Sequence, residues 1–340
     1  MKKSKLLPIF ITVILLAFVF YKINWHQLII TFKDFDFKNI VVIVLLYVLS
    51  MYMRGFRWKA LLANSPKYSP IHLGEVFIVG TFLNAYLPAR AGDLYRAYYL
   101  GEVKQEKKMK IFGSIILERT LDGITVLSIL FAAILIYSKQ QWIVNIACLS
   151  AFLFIGSLVL FFIICKYNKI DAIKNKTVEW CEMLPESLSA KTISVIEKLS
   201  GYTKSFVEGF EAFNSAKYFL YALIASMLIW GMECVVAWYV LTSFNLGLGI
   251  GASMFVISLI SFSTMIPSAS VFVGPYQYAY IMALGIFGIA KSPALAVATV
   301  HQGIMMIVLA ILGGVLLMKF NISVNLIAES KKVSGNNKLS

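Results

Sequence analysis

Charge is scarce in this chain: 14% of its 340 residues are Asp, Glu, Lys or Arg, whereas 59% are hydrophobic. That balance excludes an ordinary soluble domain, and recurring apolar runs place the chain among polytopic membrane proteins. Cysteine is also sparse. Cys148, Cys165, Cys181 and Cys234 lie far apart with no C-x-x-C spacing, so they read as small core residues and no disulfide framework is expected. The three histidines, His26, His72 and His301, share no ligand spacing, and no P-loop or dinucleotide fingerprint opens a helix. We therefore expect neither a metal nor a cofactor. The net charge of +14 does not point to nucleic acid, because Lys and Arg flanking apolar segments are what membrane topology produces.

Apolar segments run at about 6–21, 40–53, 71–88, 111–137, 142–165, 218–244, 252–289 and 293–318. The first follows Lys2, Lys3 and Lys5 but lacks a small-x-small cleavage site, so it reads as a retained span. If 71–88 simply crossed, one of two Lys- and Arg-rich flanks would lie outside. The alternative is a re-entrant pair of short helices that enters and leaves on the cytoplasmic side. Segment 252–289 is broken at Pro267 and again at Gly274-Pro275, and reads as a second re-entrant hairpin from outside. The expected fold is thus all-α, a polytopic membrane protein of about six spans plus two re-entrant hairpins, with both termini cytoplasmic. Of 31 Lys and Arg, this topology leaves Lys22, Lys33, Lys38, Lys139 and Lys291 outside and Arg119 within a span.

The same topology contains an inverted repeat: span, cytoplasmic hairpin and span in one half, span, external hairpin and span in the other. Residues 1–318 then form a single transmembrane domain. An insert at 166–217, with eight Lys and seven Asp or Glu, separates the halves, and 319–340 is a short polar cytoplasmic tail. Within the insert Ile193, Ile196, Leu199, Phe206, Phe210 and Phe213 recur at helical spacing, the pattern of an amphipathic helix on the cytoplasmic face.

Charges in the apolar half of the chain are the candidate site. Arg90, Asp93 and Arg96 follow Pro88 at a spacing that places them near one helix face, with Asn84 and Gly92 beside them. Glu118 and Asp122 share a face of the next span, with Arg119 about 100° away. A central Asp, Lys or Arg costs roughly 2.5–3.5 kcal/mol in a spanning helix, so these groups must pair or be hydrated. Either an ion cluster fastens hairpin to span, or a wet groove admits a charged lipid headgroup. Glu233 is the isolated acid of the fifth span, available to pair with an arginine or carry a proton. In the second hairpin Gly274, Tyr276 and Gln277 follow Pro267 and supply hydroxyl and amide groups where the first half has charges.

Four stretches resemble the membrane domain of the lysylphosphatidylglycerol synthase, or flippase-like, family: RGFRWKALL at 54–62, NAYLPARAGDLYRA at 84–97, LERTLD at 117–122 and P-x6-G-x2-Q from Pro267 to Gln277. The resemblance covers about 6–318. It implies a bacterial inner-membrane protein whose relatives, the multiple peptide resistance factors, move aminoacylated phosphatidylglycerol to the outer leaflet. In those relatives a soluble aminoacyl-transferase domain follows the membrane part. This chain stops soon after its last span, so by resemblance it is the membrane module and not an enzyme on its own. It departs from the family at Val271, Phe272 and Gln277, and at His301-Gln302 where an arginine is frequent. Expected partners are membrane lipids, either an anionic phospholipid or a polyprenyl-linked lipid. Membership of a phosphatidylglycerol lysyltransferase, or a scaffold for a separate lipid-modifying transferase, is the alternative.

Overall fold

The structure, a computed structural model, describes residues 16, 18–21, 23–62, 67–86, 91–137, 141–167, 170–181, 186–264 and 273–320. These residues are overwhelmingly helical and contain no strand. Helix α1 (Trp25–Lys33) starts where the Asn24 side chain accepts from the Gln27 amide at 3.0 Å. A short 3-10 turn, Phe37–Asn39, leads into α2 (Ile40–Leu61). Two short helices follow, α3 (Pro70–Tyr86) and α4 (Ala91–Lys104), and then the long α5 (Lys108–Tyr137) and α6 (Gln141–Tyr167). The insert forms α7 (Ile170–Cys181) and α8 (Glu186–Glu208). The second half contains α9 (Ala216–Ser243), the short α10 (Ile250–Ser263) and α11 (Pro275–Gly285), and α12 (Lys291–Lys319).

Five described segments are long and apolar enough to cross a membrane: Phe37–Leu61, Lys108–Ile136, Ile143–Ile163, Ala216–Ser243 and Lys291–Lys319. The chain is a multi-pass membrane protein. Most of the span expected at 6–21 lies outside the described residues. At ~1.5 Å per residue, α3, α4, α10 and α11 reach only ~17–26 Å, short of a ~30 Å hydrocarbon layer. Each short helix packs on its partner, α3 on α4 and α10 on α11, as a hairpin requires. The first hairpin closes tightly because α4 begins against glycine: a Cβ on Gly92 would overlap the Gly80 carbonyl oxygen. The second turns into α11 through Gly274, whose φ of 99° disfavours any other residue, followed by Pro275 at the first helical position.

The packing is two-fold. Exchanging α2 with α9, α3 with α10, α4 with α11 and α5 with α12 maps the contacts of one half onto those of the other: α3 packs on α12 and α5 on α10. At the centre α2 packs on α9. Asn39 bonds Ser243, Ser50 bonds Glu233 and Arg57 bonds Ser226, so numbers fall along α9 as they rise along α2. The two equivalent helices are antiparallel. A two-fold axis relating antiparallel spans runs across them, in the plane of the membrane, which is the geometry of an inverted repeat.

Three expectations need correction. Helix α2 runs to Leu61, eight residues past Met53, so Arg54 and Arg57 lie inside a helix rather than in a cytoplasmic loop, and both are buried. The apolar repeat of the insert divides into two parts. Phe206, Phe210 and Phe213 pack inward, with Phe210 stacked 4.6 Å from Phe161, whereas Leu199 is exposed. Gly113 and Gly209 permit that docking, since a Cβ on either would overlap backbone of the other element. Of the cysteines, Cys181 and Cys234 are buried, but Cys148 lies on the exposed apolar face of α6.

Candidate functional site

Helical spacing delivers charges to the interface of the halves from four directions. Arg54 and Arg57 leave one face of α2, Asp93 and Arg96 one face of α4, and Glu118 and Asp122 one face of α5, while Glu233 comes from α9. Asn84, at the end of α3, positions the start of α4: its carbonyl oxygen accepts from the Gly92 and Asp93 amides at 2.8 and 3.3 Å, and its amide donates to Asp93 at 3.0 Å. Pro88, Arg90 and Pro267 lie outside the described residues.

The pairing is extensive. Arg96 grips Glu118 with both terminal nitrogens, at 3.3 and 2.7 Å, and its guanidinium lies 3.9 Å from the Trp58 ring centre. The Trp58 indole in turn donates to Ser114 at 3.0 Å. Arg57 binds both oxygens of Asp122, at 2.5 and 3.2 Å, donates to Ser226 at 3.1 Å and stands 3.6 Å from Glu118. Arg119 donates to Asp93 at 3.0 Å and stands 3.8 Å from Asp122. Arg54 donates to Glu233 at 3.1 Å, alongside the Ser50 hydroxyl at 2.8 Å. Trp230 completes Asp122 with an indole hydrogen bond at 2.8 Å.

Four arginines meet four carboxylates, so the network has no formal net charge when all are ionised. Neutrality and bidentate geometry are what make buried ions tolerable in an apolar medium. Seven of the eight side chains are nearly inaccessible. Arg119 is the exception, its side chain 33% exposed. The structure brings together Asp93, Arg96, Glu118, Arg119 and Asp122 and joins Glu233, whose role the sequence left open, to them; Arg54 and Arg57 were not among the residues singled out from the sequence. The available signal was the RGFRW spacing, which sets two arginines and a tryptophan on one helical face.

Arg119 lines a cavity of about 260 Å³ between the halves. Asp122, Arg54, Glu233, Tyr47 and Trp230 line one wall, and Thr264, Tyr276, His301 and Gln302 the other. Here the second half is built differently. Gln277 caps α11 by accepting from the Gly274 amide at 2.8 Å and donates to Gln302 at 2.5 Å, while the Tyr280 hydroxyl meets His301 Nδ1 at 2.7 Å. Tyr276 packs against both Tyr280 and His301. Among the described residues, no group of three His, Cys, Asp or Glu could hold a metal ion. The arrangement offers hydrogen-bond donors and acceptors around Arg119, inside an apolar shell.

Comparison with known proteins gives a consistent answer. The family described as "Lysylphosphatidylglycerol synthase TM region" matches residues 5–313. A UPF0104 membrane protein of Methanocaldococcus jannaschii is 25% identical over 74% of this chain and 98% of its own length. Another UPF0104 membrane protein, from Pyrococcus horikoshii, is 22% identical over 84% of this chain and 88% of its own. A protein of Haloferax volcanii named glycosyltransferase AglD is 24% identical; that match takes in 94% of this chain and 55% of the relative. No solved structure matches.

Proposed function

Since the chain belongs to the lysylphosphatidylglycerol synthase transmembrane-region family, we propose that it is a lipid translocase that receives a charged or phosphorylated headgroup between its two halves. The observation that carries this reading is Arg119. It is the most accessible side chain of a neutral buried network, and it lines a cavity that also carries carboxylate, hydroxyl and amide groups. Guanidinium groups match phosphate oxygens in charge and fork geometry, and in a low-dielectric shell that match gains weight. Asp93 and Asp122 hold Arg119 in place, while Arg57 and Arg96 neutralise the surrounding carboxylates without reaching the cavity themselves.

The two-fold arrangement fits transport. Two hairpins entering from opposite sides place a midplane site within reach of either leaflet as the halves rock against each other. In this reading the protein resides in the cell's plasma membrane with both termini cytoplasmic. The bias of Lys and Arg favours that orientation, and moving Arg54 and Arg57 into α2 leaves the bias intact.

The test is flipping of labelled phospholipids by the purified chain in liposomes. Wild type is expected to equilibrate the label between leaflets. Arg119→Ala should slow this at least tenfold, and Asp122→Asn should slow it less. Equal rates in all three proteins would remove the network from transport and leave it a structural clasp.

A second reading has its own support: the similar Haloferax protein is named a glycosyltransferase and extends well beyond the match. This chain would then serve as the membrane partner of a separate transferase. Co-purification of such an enzyme, together with absence of flipping, would favour that role.

A further inference from the structure

The cavity beside Arg119 has a more apolar neighbour. A groove of about 530 Å³ lies between residues 18–20, α1 and α12, walled by Val19, Leu28, Phe32 and Leu295. The two spaces adjoin, with Gln302 and Met306 lining both. Gln277, which donates to Gln302, faces the groove at the same junction. The groove wall is fixed at one end, where the Asn24 amide donates to Ser292 at 3.0 Å and Lys291 donates to the Tyr21 carbonyl at 2.7 Å.

We propose that one lipid occupies both spaces at once, its headgroup in the cavity beside Arg119 and one hydrocarbon chain in the groove, crossing between them at Gln302. This rests on the translocase reading and adds where the chain goes and how it enters. A headgroup held at mid-membrane needs a continuous apolar path for its tail, or the chain is left against polar walls. The groove supplies that path at the required depth. From Leu295 to Met306 along α12 is ~16 Å, about half the ~30 Å hydrocarbon layer, so the groove spans a single leaflet. The outer faces of these elements are exposed apolar surface, at Phe18, Ile307 and Ile311, so hydrocarbon is the medium from which the groove fills. A partner helix or a second copy of the chain fits poorly, because the inner end of the groove is not apolar but opens onto Gln302 and the charged cavity. The chain therefore exchanges with the leaflet through the apolar outer side of the groove.

Gly303 gives a handle on the groove. It lines the wall, and a Cβ there meets nothing within 4 Å, so a large side chain can be added without displacing the helix. Gly314 on the same helix is equally open and lines neither space, which makes it the control.

The experiment uses the full chain in nanodiscs containing phosphatidylglycerol with a diazirine near the end of one acyl chain, and maps the photo-adducts. Adducts are expected on α1 and on the 295–306 stretch, reduced by the water-soluble headgroup glycerophosphoglycerol. Gly303→Trp should lower them at least tenfold and slow flipping to match, whereas Gly314→Trp should change neither. Should Gly303→Trp fail to fold, Thr299→Phe narrows the same wall. Adducts confined to α6, adducts bridging two copies, or groove adducts indifferent to glycerophosphoglycerol would each overturn the proposal. Normal flipping by Gly303→Trp beside a defective Arg119→Ala would overturn it too, while leaving the translocase reading in place; normal flipping by both variants would dismiss that reading.

Discussion

The two halves of this protein solve one structural problem with different chemistry. In each, the outgoing helix of a hairpin must be fastened to the span that follows it. The first half does so with ions, Arg96 on Glu118 and Arg119 on Asp93. The second uses neutral groups at corresponding places, Gln277 on Gln302 and Tyr280 on His301. Equivalent packing therefore does not require equivalent charge. The difference matters because an ionic clasp cannot lose one partner without stranding a buried charge, whereas an amide or phenol leaves only an unpaired dipole. The first half presents the cavity with paired ions, and the second, Glu233 apart, with neutral groups; the second is also the half that borders the apolar groove.

That contrast can be broken most forcefully at the fully buried pairs. Glu118→Ala strands Arg96 and weakens the setting of Arg57, and is expected to destabilise the protein by ~3–5 kcal/mol, read as a large drop in the melting temperature in detergent. Replacing both partners, Arg96→Met with Glu118→Leu, should recover most of that loss; a double variant as unstable as the single would mean that the pair is not the source of the effect. Arg57→Ala belongs to the same class, since it leaves Asp122 with only Trp230 and the more distant Arg119.

The neutral clasp should respond less. Gln302→Leu removes the acceptor of Gln277 and should cost about 1–3 kcal/mol. A loss as large as that of Glu118→Ala would erase the distinction between the halves. The smallest effect is expected at the surface, where Lys67 pairs with Glu106 at 2.9 Å in an exposed setting. Lys67→Ala should shift stability by no more than ~0.5 kcal/mol, and a larger shift would show that exposed ion pairs also act as clasps.

Much of the candidate site was legible along the chain. A carboxylate four residues from another on an apolar helix, and Arg90, Asp93 and Arg96 at successive spacings of three after a proline, announce groups that must find partners. Arg54 and Arg57 were not legible in this way. They follow the apolar run 40–53, and a hydropathy reading ends the span before them. The helix continues because its surroundings permit it. Gly55 lets α2 lie against α3, where a Cβ would overlap Pro70 and Gly74 backbone, and the carboxylates of Asp122 and Glu233 wait at the right height. The exposed Leu199 was opaque for a related reason. Periodicity marks a helix face as apolar, but only the reach of the neighbouring α5 and α6 decides how much of that face is covered.

The sequence by itself determined that the chain is helical and membrane-embedded, and that acids and arginines would sit among apolar residues. Those properties follow from composition, run length and the 3.6-residue period, all local along the chain. Which arginine meets which carboxylate, that Arg54 and Arg57 belong to the span, and that the cavity beside Arg119 adjoins an apolar groove at Gln302 were decided only by the tertiary structure. Coulomb attraction and exclusion of solvent depend on distance in space, and Arg54 lies 179 positions in sequence from the Glu233 that neutralises it.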